Sequence, residues 1–135
     1  MTTTSGGCLC GAVRYELSAP QLFGGFCHCV DCRKTSSSHS ASMAVPEAAL
    51  KITGETRSFS SVGGSGNPVT RVFCPNCGTG ILSKGVRPGV VMLKAGTLDD
   101  PEHFKPMAAI YVSRAPSWDK PPQGLPAFAE MPPQS

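Results

Sequence analysis

Seven cysteines in three short clusters constrain this 135-residue chain more than any other feature. They fall as Cys8-Leu9-Cys10, as Cys27-His28-Cys29-Val30-Asp31-Cys32 and as Cys74-Pro75-Asn76-Cys77. In a reducing compartment thiols spaced this way are metal ligands rather than disulfides, and an odd number cannot all pair within one chain. The middle cluster, continued by Arg33 and Lys34, reads as the reactive centre. On a strand Cys27 and Cys29 point one way and His28 the other, and the C-x-x-C that follows is expected to make a tight turn that returns Cys32 to the first two sulfurs. Structural zinc is closed by four protein ligands, whereas catalytic zinc has three and an open position, so this trio suits a catalytic ion.

The other four cysteines then make one closed site. Pro75 fixes a backbone angle and Gly78 supplies the positive φ that a metal knuckle needs. A rival partition joins Cys8 and Cys10 to Cys27 and Cys29, leaving Cys32 with Cys74 and Cys77. It divides the most local trio and requires more long-range closure, so it ranks second.

Length and composition suit one soluble, cytoplasmic domain, with no apolar run long enough to span a bilayer and no amino-terminal signal pattern. The formal charge is +3, but four thiolates on a divalent ion carry about −2 and three about −1, which brings a doubly metallated chain near neutrality. Charge therefore gives no support to a nucleic-acid partner, and the chain is expected to be a monomer or weak homodimer.

In chain order, residues 1–6 are a small, polar arm, expected to be flexible. Cys8 to Leu17 alternates, with Val13, Tyr15 and Leu17 on one parity, and is predicted to be a strand whose thiols face away from its apolar side. Thr35 to Ser42 is a run of small side chains, either a serine-rich loop or a place where a ligand approaches closely. Short strands are predicted around Met43 to Val45, Lys51 to Thr53, Ser58 to Val62, Val69 to Phe73, Ile81-Leu82, Val90 to Leu93 and Ala109 to Val112. A proline-opened helical turn is predicted at Pro46 to Leu50, and loops at Gly63 to Pro68 and Arg87 to Gly89. The sum is a mainly β, single-domain fold over residues 7–114 with little helix, fastened by metal. The proline-rich stretch 115–135, with Trp118, Phe128 and Met131, is expected to lie on the domain as an extended strap.

The motifs Gly7-Cys8-Leu9-Cys10-Gly11, Cys27-His28-Cys29 with Cys32-Arg33-Lys34, Phe73-Cys74-Pro75-Asn76-Cys77-Gly78-Thr79 and Gly96-Thr97-Leu98-Asp99-Asp100-Pro101 occur in order, followed by Gly124-Leu125-Pro126 and Met131-Pro132-Pro133. In this the chain resembles the glutathione-dependent formaldehyde-activating enzyme family, which includes the centromere protein V relatives. The resemblance implies a β-tent fold of the Mss4-like kind and two zinc ions per chain. One is structural, on Cys8, Cys10, Cys74 and Cys77, and one catalytic, on Cys27, Cys29 and Cys32. It implies a carbon–sulfur lyase chemistry, the condensation of formaldehyde with glutathione to S-hydroxymethylglutathione or its reverse, with a small thiol and an aldehyde as partners. Relatives commonly carry a glycine and an aromatic residue where this chain has Ser37 and Ser40, and a histidine where it has Ala109, which leaves the identity of the thiol open.

A thiol meeting a metal-bound trio is deprotonated at neutral pH and becomes a nucleophile for a small carbonyl carbon. Arg33, Lys34 and Ser37 are candidate substrate contacts; Arg33 and Lys34 read equally as surface charges that soften the site's negative field. His28 reads as a structural imidazole, with proton transfer or a fourth ligand position as alternatives, and His39 is the other histidine spaced to return to the metal. A non-catalytic zinc-ribbon-like binding module, its second site closed by His28, His39 or a partner's group, is the competing reading.

Overall fold

The computed structural model describes residues 3–64 and 66–132 and is mainly β, with ten strands and one α-helix among the described residues. A three-stranded antiparallel sheet is built from β1 (Thr4–Gly7), β2 (Arg14–Leu17) and β5 (Leu50–Thr53), with β2 in the middle. The larger sheet uses β3 (Phe23–Cys27), β4 (Ser40–Pro46), β6 (Arg57–Val62), β7 (Pro68–Phe73), β8 (Gly80–Arg87), β9 (Val90–Lys94) and β10 (Ala108–Ile110). Its order is β10-β3-β4-β9-β8-β7-β6, antiparallel throughout except for β10 against β3.

The core lies where the inward faces of the two sheets meet. Tyr15 and Leu17 of β2 are buried while Arg14 and Glu16 are exposed, the alternation expected of a half-buried strand. They pack with Val13, Met43, Val45, Ile81, Leu82, Val91, Leu93 and Leu98, and Cys8 and Cys74 belong to the same cluster. The Tyr15 hydroxyl is buried with a partner, Thr97 Oγ1, at 2.7 Å. Gly54 closes the turn after β5 at φ +100°, with its missing Cβ replaced by the Ala12 carbonyl, 2.1 Å from where that atom would sit.

Three local expectations are corrected. The strand predicted from Cys8 begins only at Arg14, because Cys8 to Val13 folds back on itself: Cys8 N–H donates to Val13 O at 3.0 Å and Val13 N–H to Cys8 Sγ at 3.2 Å. Cys8 thus belongs to the apolar core rather than facing away from it. The arm expected over 1–6 contributes β1, paired through Thr4↔Leu17 to Gly7↔Arg14; its first two residues lie outside the described residues. The segment after Cys29 is a helix, α1 (Val30–Ser36), not an isolated tight turn, and the serine run is divided between its end and β4.

The stretch from residue 115 lies along β10. Ala109 N–H donates to Pro126 O and Phe128 N–H to Ala109 O, both at 2.9 Å, and Val112 N–H donates to Phe128 O at 3.0 Å. Residues 133–135, including Pro133 of the last motif, lie outside the described residues. Among the described residues no helix is long and apolar enough to cross a membrane.

Candidate metal centres and substrate site

The first cluster forms where two knuckles from distant parts of the chain meet. Gly11 and Gly78, at φ +82° and +80°, turn the backbone just beyond Cys10 and Cys77. Amides then point at sulfur, Val13 N–H at Cys8 and Cys77 N–H at Cys74, 3.5 Å in the second case. The four sulfurs lie within 4.8 Å of one another, with Cys8 to Cys10 at 3.6 Å and Cys10 to Cys74 at 3.8 Å. Four sulfurs about 2.3 Å from a tetrahedral zinc are about 3.8 Å apart. The donor set and its spacing therefore fit zinc. The Thr79 hydroxyl, 3.2 Å from Cys77 Sγ, and its amide hold the Cys77 thiol down at about 5, ready to be a thiolate ligand. This grouping is the partition that ranked first from spacing; the rival one is not formed.

The second cluster sits at the junction of β3 and α1. Cys27 ends the strand and Cys29 caps the helix, its Sγ accepting from Cys32 N–H at 3.3 Å. The three sulfurs lie within 4.8 Å of one another, and among the described residues no histidine or carboxylate joins their group. Hydrogen bonds from the Cys27 and Cys32 thiols hold Cys29 down at about 2, and Cys27, as donor to Cys29, is pushed up. Three sulfurs this close share protons until a cation replaces them, which is the chemistry of a thiolate metal site. These residues fit a three-thiolate zinc.

The predicted substrate residues lie along α1. Arg33 is half-buried; Lys34 and Ser37 are exposed. The two cations are in the helix's last turn, where they meet the negative end of its dipole, and Ser37 is its left-handed cap at φ 73°. Each therefore has a structural reason for its place.

Sequence reasoning missed Lys94 and Tyr111. Lys94 ends β9, is half-buried, and reaches Ser36 Oγ at 3.2 Å. Burial pushes its pKa down against the attraction of Cys32, Cys27 and Cys29, and the register Gly25↔Ser42↔Lys94 puts its side chain on the face of the sheet that Cys27 shares. Its signal was hidden because Val90-Val91-Met92-Leu93 reads as a buried run, yet Val91 and Leu93 alone turn to the core and Lys94 shares the other face. Tyr111 has φ 55°, rare for a residue other than glycine and a mark of constrained sites. Burial raises its pKa first, and the charges of Cys27 and Cys29 raise it further, keeping the phenol protonated.

His28 is 1% exposed, and neither ring nitrogen has a hydrogen-bond partner. An unmet buried polar atom costs about 1–3 kcal/mol. His28 and His39 do not join the trio. They gather instead with Asp119 in a separate group whose donor atoms lie within 4.8 Å of one another.

A two-sheet β fold knotted by four sulfurs, with three more beside a half-buried lysine, defines a small β protein whose cysteine clusters suit zinc. The profile of the glutathione-dependent formaldehyde-activating enzyme matches residues 3–114, and the chain belongs to that family. A crystal structure of a Rhodobacter sphaeroides protein, a Northeast Structural Genomics target, is similar with a TM-score of 0.56 at 20% identity, covering 70% of this chain and 87% of that one. At that identity the likeness is one of fold. No curated protein matches.

Proposed function

We propose that this protein is a zinc-dependent carbon–sulfur lyase, joining a small carboxylate-bearing thiol such as glutathione to a small aldehyde such as formaldehyde, or cleaving the adduct. The observation that carries this reading is the trio itself: three sulfurs in ligand range of each other, no fourth side chain in their group among the described residues, and a half-buried lysine on the same face of the sheet. A zinc ion held by Cys27, Cys29 and Cys32 supplies the charge that turns an incoming thiol into a thiolate.

The chain's own groups do the rest. Lys94 meets a carboxylate of the thiol and fixes which end faces the sulfurs, a better-placed partner than the exposed Lys34. As the substrate sulfur bonds to the carbonyl carbon, the π pair of the C=O moves onto oxygen, which takes up the proton that the thiol gave up on ionising; Tyr111 is the candidate hydrogen-bond donor to that oxygen. The reverse cleavage returns the pair to C=O and the electrons of the C–S bond to sulfur. Ser40, the register partner of Cys27 on β4, offers its hydroxyl on the face that carries the sulfurs.

Exchange NMR of formaldehyde with glutathione, and then with smaller thiols, tests the activity. Adduct exchange accelerated by the zinc-loaded protein and abolished in Cys29→Ser is the expected result. In the cobalt-substituted protein the absorption of one metal should change when thiol is added. A spectrum indifferent to every thiol would instead describe a binding module.

A further inference from the structure

The histidines lie on the opposite side of β3 from the trio. Phe26 and His39 meet edge to face at 5.1 Å between ring centroids, and the rings of His28 and His39 are 5.3 Å apart. Ser40, the residue after His39, opens β4 as the register partner of Cys27, so its side chain lies on the sulfur side of the sheet. Cys27 and Cys29 thus present sulfurs on one side while His28, between them, presents an imidazole on the other.

The stretch beyond residue 114 brings a carboxylate to that imidazole. Asp119 Oδ2 accepts from His39 N–H at 2.8 Å, Asp119 Oδ1 is 2.9 Å from His39 Nδ1, and Oδ2 is 3.6 Å from His28 Nδ1, too far for a hydrogen bond. The His28 ring, almost wholly buried, is left with both nitrogens unmet at the edge of this group. A buried imidazole is normally satisfied; one aimed at a second imidazole and a carboxylate lacks only the cation that all three can bind. Donors about 2.1 Å from a zinc-like ion are about 3.0–3.4 Å apart, a range that falls between the two Asp119–imidazole distances of 2.9 Å and 3.6 Å.

We propose that His28, His39 and Asp119 form a further metal site, separate from both cysteine clusters, that takes a divalent ion of the zinc class. Two imidazoles and one carboxylate leave a position open on such an ion. The ion would tie the carboxyl-terminal stretch to the back of the strand that carries Cys27. Because His28 is flanked by two trio cysteines, loading of this site and of the trio would act on the same backbone.

Cobalt titration of the metal-free full chain separates the sites, since cobalt on cysteine shows intense thiolate charge-transfer absorption and cobalt on imidazole and carboxylate does not. The expected result is three equivalents, one of them adding no thiolate absorption, and that one weakened at least ten-fold in both Asp119→Asn and His39→Gln. In the unaltered protein with ¹⁵N-labelled histidine, zinc should shift ring nitrogens of both His28 and His39, a readout that needs no variant to fold. Saturation at two equivalents with the histidine nitrogens unmoved would overturn the proposal. So would a third equivalent that persists unweakened in both variants.

Discussion

The backbone amide of Cys32 points at the sulfur of Cys29 from 3.3 Å, and the amide of Cys77 points at the sulfur of Cys74 from 3.5 Å. The same three-residue spacing thus makes the same local hook twice. What differs is the surroundings: Cys74 is fully buried in the core cluster, while Cys27, Cys29 and Cys32 are all half-buried outside it.

Substitutions in the two cysteine clusters should therefore fail differently. Cys8→Ser or Cys77→Ser removes a ligand from the site that joins the two knuckles, and binding free energies of structural zinc, about 10–16 kcal/mol, are comparable to a whole domain's stability. Those variants should be unfolded by circular dichroism. Cys29→Ser should keep a cooperative melt and lose adduct exchange. Equal collapse in both groups would contradict the division of labour.

Chelation should resolve two stages. A three-sulfur site with an open face gives up its ion to a competing ligand before a closed four-sulfur site does. Titration with a chelator should abolish activity while the β-sheet signal persists, and unfold the chain only at higher concentration. Simultaneous loss of both signals would argue against the assignment.

Lys94→Met keeps the length of the side chain and deletes its charge. A hydrogen bond to a charged group is worth about 1.5–3 kcal/mol, so kcat/KM for glutathione should fall roughly 10- to 100-fold, mostly through KM. A thiol without carboxylates should be affected much less, and Arg33→Ala should cost less than Lys94→Met with either. An equal loss for charged and uncharged thiols would remove Lys94 from substrate binding.

Asp99 receives Ser5 Oγ at 3.0 Å and a two-pronged contact from Arg14, which pins the edge of the small sheet to the stretch after β9. The Arg14 guanidinium, first, and the Ser5 hydroxyl hold the Asp99 carboxyl below its usual value. A depressed carboxyl contributes stability that is complete above its unfolded pKa and is lost as pH falls through the folded one. The stability difference between the unaltered protein and Asp99→Asn should be constant from neutrality down to about pH 4 and then shrink. Both partners are exposed to solvent, so salt should reduce the difference too.

Gly25→Ala tests the parallel pairing of β3 with β10. An added Cβ would lie 2.7 Å from the Ala108 carbonyl oxygen and 2.9 Å from the Phe23 ring, and a backbone oxygen cannot swing away. Overpacking of this kind costs about 1–3 kcal/mol. A chemical-denaturation midpoint unchanged by the substitution would mean that β10 is not held against β3 in solution.

Much of this was legible in the residues because it depends on local spacing. The parity of Val13, Tyr15 and Leu17 marked the buried face of β2, Gly78 marked the second knuckle, and the four-and-three division followed from which cysteines were close in sequence. The run from Val90 to Leu93 was legible as a strand, but its apolar character concealed that Lys94 sits on the face turned away from the core. The beginning of β2 was misplaced because Cys8 to Cys10 alternate like a strand, while the bonds between Cys8 and Val13 fold them into a loop.

By itself the sequence determined the chemistry available: seven thiols at knuckle spacings, a mainly β pattern, and a family whose profile runs from residue 3 to 114. Only the tertiary structure decided which groups separated by long stretches of chain share a site. Lys94 shares a face of the sheet with Cys27, more than sixty residues earlier, because β9 lies beside β4 and β4 beside β3. Asp119 meets His39 in the stretch that goes on to lie beside β10, parallel to it. Backbone hydrogen bonding between strands carries no residue-specific code, so such neighbours follow from the packing of whole sheets and not from any motif.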